Sequence, residues 1–264
     1  MNWQLWSRQV DAVAWVEFKR FWLSRRAIGI YIIALAPNFL MLPLLIRPGR
    51  AGMLSTAYAV FFEMFWLRLV IFFGCASIFS QFFRGEILQK TLHYYLLVPV
   101  RREIVVLGKY LAAFSGTAML FSLTTISSYL LYWGRSARGR DFLAGSAGIP
   151  ELARYVAVVI IACAAYGALF LLLGLLFKNP MLPSMFVLTW ESLNYVLPAE
   201  LQRVSIVHYL RPLLPVILPR GPFVILTEPP SPLVGIPGLM LVTAALLVLA
   251  GLVLRRTEIT YSAD

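Results

Sequence analysis

Residues 155–177 read YVAVVIIACAAYGALFLLLGLLF, without one charged side chain. A helix needs about 20 consecutive apolar residues to cross a bilayer. A helix on a soluble protein needs a polar face, and this run has none. Lys178, Asn179 and Pro180 make a tight turn after it, and a second apolar run covers 181–197. Working outward, similar runs lie at 107–133, 57–80 and 27–46 upstream and at 238–254 downstream. In chain order these predict six transmembrane helices. Pro37 and Pro43 fall inside span 1, where neighbouring helices can satisfy the freed backbone groups.

Composition agrees. The 264 residues are 60% apolar and 13% charged, with a mean hydropathy of +0.80. A soluble domain runs nearer half apolar and a quarter charged. The balance excludes a soluble enzyme, a disordered chain and a fibrous protein. The net charge of +11 comes from 23 Lys+Arg against 12 Asp+Glu. Those basic residues gather at span ends, as membrane anchors do, so no nucleic-acid partner is expected. Six spans put both termini on one side. That side holds 13 Lys+Arg against 9 on the other, with Arg68 inside span 2. The positive-inside rule then predicts both termini in the cytoplasm, in the plasma (cell inner) membrane.

Residues 1–26 predict an amphipathic helix lying in the membrane interface, in contact with lipid. Trp3, Trp6, Val10, Val13 and Phe21 share one stripe. Arg8, Asp11, Lys19 and Arg26 oppose it, Glu17 interrupts it, and Trp15 and Trp22 sit among the charges. Asp11, Glu17 and the lack of a compact apolar core argue against a cleaved signal peptide. The rest, 27–264, reads as one membrane domain. Within it, 198–237 holds nine of the sixteen prolines. This stretch reads as a broken re-entrant segment near the outer face or as an ordinary outer loop.

Soluble chemistry is missing. A phosphate-binding P-loop needs Gly-x-x-x-x-Gly-Lys-Ser/Thr. The Gly108-Lys109 pair is followed by Tyr110, and position 103 is Glu. Cys75 and Cys163 lie in apolar runs with no zinc spacing, and no His-Glu-x-x-His motif occurs. No catalytic, cofactor-binding or metal residue is assigned.

The segment 81–102 between spans 2 and 3 is polar. Leu88, Leu92 and Leu96 recur on one helical face, and Glu86 is expected in that helix's first turn. Pro99 ends it, and Arg101 and Arg102 anchor the entry to span 3. A short cytoplasmic helix between two spans suits a lever pushed by a soluble partner.

The run from Glu86 through Thr91, Leu92, Leu96-Leu97, Pro99, Arg102 and Gly108-Lys109 resembles the cytoplasmic loop of ABC-2-type transporter permeases. That pattern is an acidic residue, Gly-Thr, paired leucines, Pro, a basic residue, then Gly-Lys. Lys90 stands where the family usually has Gly. The six-span layout, the N-terminal interfacial helix and the broken segment before span 6 are similar as well. The resemblance implies an all-α integral membrane permease, an exporter with no chemistry of its own. It would pair with a second copy or a related permease. ATP and Mg would be bound by a separate P-loop ATPase subunit. It assigns Glu86, Leu88, Thr91, Leu92, Leu96, Pro99 and Arg102 to a coupling helix facing that subunit. Gly108 and Lys109 become a hinge and anchor, Lys109 otherwise reading as a side chain that snorkels to headgroups. Spans 2 and 5 line the path, which carries Glu63, Arg68, Glu191 and Asn194.

Ionisable groups within spans are expensive and mark a pathway or a buried partner. Arg68 lies 11 residues into span 2 and Glu191 the same distance into span 5 from the other side. At 1.5 Å per residue both reach about 16 Å, near mid-membrane. An Arg68–Glu191 pair across spans 2 and 5, within one subunit or across the dimer, is therefore expected. Glu63, five residues from Arg68, is turned about 140° away on an α-helix. Two other functions stay open: a polytopic membrane enzyme using Glu63 and Glu191 as acid and base, and a non-transport scaffold.

Overall fold

The computed structural model describes residues 3–24, 27–44, 51–88, 101–134, 136–194, 197–216 and 231–256. Among them every regular element is helical. α1 is Trp3–Trp22 and α2 is Ala27–Leu44. α3, Ala51–Phe61, runs through a π-helical stretch, Phe62–Ile71, into α4, Phe72–Leu88. α5 is Arg102–Gly134, α6 is Ala137–Ala144, α7 is Gly148–Leu176 and α8 is Met181–Leu193. Two short helices follow, α9 at Ala199–Gln202 and α10 at Ile206–Leu210, then a 3-10 turn at Arg211–Leu213. α11 is Pro232–Arg256.

Among the described residues, four helical stretches are long and apolar enough to cross a membrane: Ser55–Gly85, Arg102–Gly134, Gly148–Leu176 and Pro232–Arg256. The 25 residues of the shortest reach about 38 Å, more than a bilayer core of about 30 Å. The helices at spans 1 and 5 are shorter, with Ala27–Met41 as the apolar part of α2 and 13 residues in α8.

Helix ends depart from the apolar runs for local reasons. The 134–154 loop contains α6, whose first turn is capped by Ser136 Oγ accepting from the Gly139 amide at 2.9 Å. α7 therefore starts at Gly148, before its apolar run. It stops where Phe177 turns extended, three residues before Pro180. α11 begins at Pro232, a residue suited to a helix start, and continues past Pro237.

α4, α5, α7 and α11 form the body, with α1 and α2 laid on α5. Close approach depends on small residues, as in membrane bundles. A Cβ at Gly174 would stand 2.7 Å from the Ser80 Cα, so α7 meets α4 backbone to backbone. Gly74 and Gly167 likewise admit the Phe121 and Phe79 rings. At the Gly134 end of α5, Tyr58, Tyr129 and Tyr155 pack with ring centroids 5.2–6.0 Å apart. Cys75 and Cys163 are buried and free. Outward faces are apolar: Leu233, Leu241, Phe186 and Ile32 are each more than 60% exposed. Such a surface suits lipid or another membrane helix rather than water.

The N-terminal helix departs from the wheel reading. Val10, Glu17 and Trp22 are buried against α5. The Trp22 indole, expected among the charges, donates to the Ala112 carbonyl at 3.2 Å, and its ring fills the space left by Gly116. The broken segment is not an exposed loop over 205–210. Ser205, Val207 and Leu210 are fully buried, and α10 packs on α7 and α11.

Candidate functional site

Two groups of buried charges are built on this frame. The first lies where the π-helical stretch meets the short helices. Arg211 of the 3-10 turn brings Nε and Nη2 each to 2.6 Å from Glu63 Oε1. Arg68 Nη2 lies 3.9 Å from the same oxygen. On an α-helix the five-residue spacing would separate Glu63 and Arg68. A π-helix closes its hydrogen bonds from i to i+5. Five residues therefore return to nearly the same face, and the two side chains meet. Arg68 Nε is buried without a hydrogen-bond partner.

Within the single chain the expected Arg68–Glu191 pair does not form. Glu191 is taken by other donors: Ser205 Oγ at 2.5 Å, the Ile206 amide at 2.8 Å and the Val207 amide at 3.1 Å. Its carboxylate caps the first turn of α10 from another helix, where free amides and the positive end of the helix dipole await an anion. The start of α10 thus supplies the donors that the depth arithmetic had assigned to Arg68. Asn194 donates to the Gln202 carbonyl at 3.2 Å, and Gln202 donates to the Leu197 carbonyl at 2.8 Å. These bonds fold the chain back after α8. The four residues assigned to a path thus sit in one neighbourhood, but as two separate knots.

The second group lies at the Arg102 end of α5. Lys109 is fully buried, and its Nζ is 2.6 Å from Glu17 Oε1 and 5.5 Å from the Phe83 ring centroid. It does not snorkel. Glu17, which interrupted the apolar stripe of α1, does so in order to reach it. Gly108 lies inside unbroken helix and is the seat for Val10 and Val13 of α1. Arg102 Nη1 donates at 2.8 Å to each of the Leu254 and Arg255 carbonyls. It therefore caps the C-terminus of α11.

Of the other coupling residues, Glu86 and Leu88 fall in the last turn of α4. The first turn of a new helix, expected at Glu86, is instead the end of the span-2 helix. Thr91, Leu92, Leu96 and Pro99 lie outside the described residues. Arg211, Ser205 and Glu17 are the partners that pattern reading missed. Only Glu17 left a signal, a charge on an apolar stripe that demanded a counter-charge.

A family model described as ABC-2 family transporter protein matches residues 15–192. The chain belongs to that family. The match begins within α1 and ends within α8, so it takes in the Glu17–Lys109 pair and Glu63, Arg68 and Glu191. No curated protein matches the chain. The permease is a multi-pass membrane protein with apolar, membrane-length helices. Permeases of this family are non-catalytic membrane subunits that work with an ATP-binding partner subunit.

Proposed function

We propose that the permease is the membrane half of an ATP-driven exporter, coupled to a separate P-loop ATPase through residues 81–102. The family match across 15–192 carries this reading, because it spans both helices that flank the coupling segment. ATP and Mg bind in the partner, and this chain holds no cofactor. Six spans preceded by an interfacial α1 place both termini in the cytoplasm of the inner membrane, in line with the Lys+Arg bias. The exposed Trp15, Val16 and Leu23 beside Lys19 and Arg20 suit headgroup depth. Two permeases form the working unit. Spans 2 and 5 line the path, with Glu63, Arg68, Glu191 and Asn194 as its polar stretch. The segment around α10 re-enters from the outer face.

The arrangement of the carboxylates favours transport over an enzyme. Glu63 is engaged by two arginines and Glu191 by three donors. A general acid or base needs a free edge toward its substrate.

The test is purification of the full chain from its native membranes, with identification of copurifying proteins. A P-loop ATPase should accompany the wild type and be lost with Leu92→Asp, while membrane insertion is unchanged. An inserted wild-type permease that brings no ATPase overturns the reading.

A further inference from the structure

The first two turns of α5 are held by helices from both ends of the chain. Arg102 caps α11 with two hydrogen bonds of 2.8 Å. The next residue, Glu103, pairs through Oε1 with Arg255 Nε at 2.7 Å. Its side chain also lies along α11, since a Cβ at Gly251 would meet Glu103 Cγ at 3.5 Å. These bonds are complementary. The cation meets the negative end of the α11 dipole, and the carboxylate meets the arginine in the last turn of α11. Less than two turns later α1 arrives. Val10 and Val13 seat on Gly108, and Glu17 meets the fully buried Lys109 at 2.6 Å. Phe83, near the end of α4, stands over the same ammonium. α4 and α5 therefore meet at Lys109.

We propose that Arg102, Glu103 and Lys109 are positioning residues that clamp α1 and α11 to the start of α5, so that the three helices move as one lever. The inference rests on the reading of 81–102 as the ATPase contact. A push on that segment enters α5 at Arg102. Separating α1 from α5 would pull apart a buried ammonium and carboxylate that stand 2.6 Å from each other, which the interior disfavours. Separating α11 would uncap its last carbonyls. The low-energy response is to carry both helices along. α7 is joined to α5 by apolar packing and by neutral hydrogen bonds, from Tyr110 to the Ala164 carbonyl at 3.0 Å and from Tyr129 to the Gly148 carbonyl at 3.2 Å; these are weaker ties than a buried ion pair, so α7 can slide against the group.

The experiment uses the permease with its copurifying ATPase in nanodiscs. Spin labels go at exposed sites: Ser7 on α1, Leu252 on α11 and Leu176 on α7. Distances are measured without nucleotide and with ATP and vanadate. In the wild type the Ser7–Leu252 distance should stay within the ~1–2 Å of an ordinary helix adjustment, while distances to Leu176 shift by more. Arg102→Gln with Glu103→Gln, or Glu17→Gln with Lys109→Gln, should make the Ser7–Leu252 distance nucleotide-dependent. The swap Glu17→Lys with Lys109→Glu should restore the fixed distance, which a purely structural defect would not predict. The neutral double variants keep the test valid should single variants fail to fold. A wild-type Ser7–Leu252 distance that moves as far as the Leu176 distances overturns the lever, as do neutral variants that leave it fixed. Absence of any ATPase overturns the lever and the underlying reading together.

Discussion

The two charged knots of the permease solve the same problem in opposite ways. At the Lys109 end, regular helices meet at glycine seats, and one carboxylate answers one ammonium at 2.6 Å. At the Glu63 end, one carboxylate serves two arginines, a second caps a five-residue helix, and the span itself is π-helical for ten residues. π-helical segments are rare and cluster at functional sites. Irregular backbone at membrane depth is tolerated where protein buries it or a cavity is lined by it. The regular end thus suits transmission of force, and the irregular end suits a part that changes shape.

The comparison breaks most visibly at Glu63. Glu63→Ala strands both Arg68 and Arg211, and an unpaired buried charge costs about 3–5 kcal/mol. Lys109→Met should cost a similar amount by removing the buried ammonium that Glu17 faces at 2.6 Å. The rescues differ. Adding Glu17→Gln to Lys109→Met should recover most of the loss, because it removes both charges of the pair. Adding Arg211→Gln to Glu63→Ala should recover only part, since Arg68 is still stranded. Unfolding midpoints in detergent, read as a double-mutant cycle, check both ends. Equal rescue at the two ends would erase the distinction.

Glu191→Ala should come next, at about 2–4 kcal/mol, because it removes the acceptor of two buried amides and one hydroxyl. The damage should be local. Hydrogen exchange should rise over 205–210 and leave the start of α5 protected.

The regular end has its own sensitive point in Gly116. A Cβ there overlaps the Trp22 indole, which is buried and bonded to the Ala112 carbonyl. Gly116→Ala should displace that ring at a cost of about 1–3 kcal/mol. Tryptophan fluorescence should shift, and a Trp22→Leu background should relieve the clash. A Gly116→Ala protein with wild-type stability would show that α1 is loosely held and would weaken the lever.

These contrasts explain what the sequence made legible. Four of the six expected spans were readable because lipid demands long apolar runs, and 155–177 could be little else. Family membership was readable from residues around Glu86–Lys109. Partnerships between charges were not. The depth argument assumed α-helical spacing, and the π-helical stretch altered the one angle that excluded Glu63 as partner of Arg68. Nothing in the run Phe62–Ile71 signals that change. Arg211 was hidden because proline-rich sequence reads as loop, whereas Ser205–Leu210 folds back into the body. Glu17 was the exception: its misfit on the α1 stripe was itself the clue to Lys109.

The smallest effect separates the two arginines of the Glu63 knot. Arg211 makes two contacts of 2.6 Å to Glu63, while Arg68 makes one of 3.9 Å and leaves Nε without a partner. The attraction at 3.9 Å is offset by the desolvation of the Arg68 charge and by repulsion from Arg211 on the same oxygen. Arg68→Gln should therefore change stability by about 1 kcal/mol or less, with the sign free to be stabilising. Arg211→Gln should cost several times more, because it removes the contact that ties the 3-10 turn to span 2. Removing one residue from Phe62–Ile71 tests the origin of the difference. A deletion outside the Glu63–Arg68 interval, such as that of Val70, keeps the five-residue spacing, so a return to α-helical turns should carry Arg68 about 140° away from Glu63 and leave the Arg211 bond intact. In that background Arg68→Gln and wild type should differ no further in stability. An Arg68→Gln cost matching that of Arg211→Gln would show that the longer contact, and with it the π-helical register, matters more to the fold than its geometry implies.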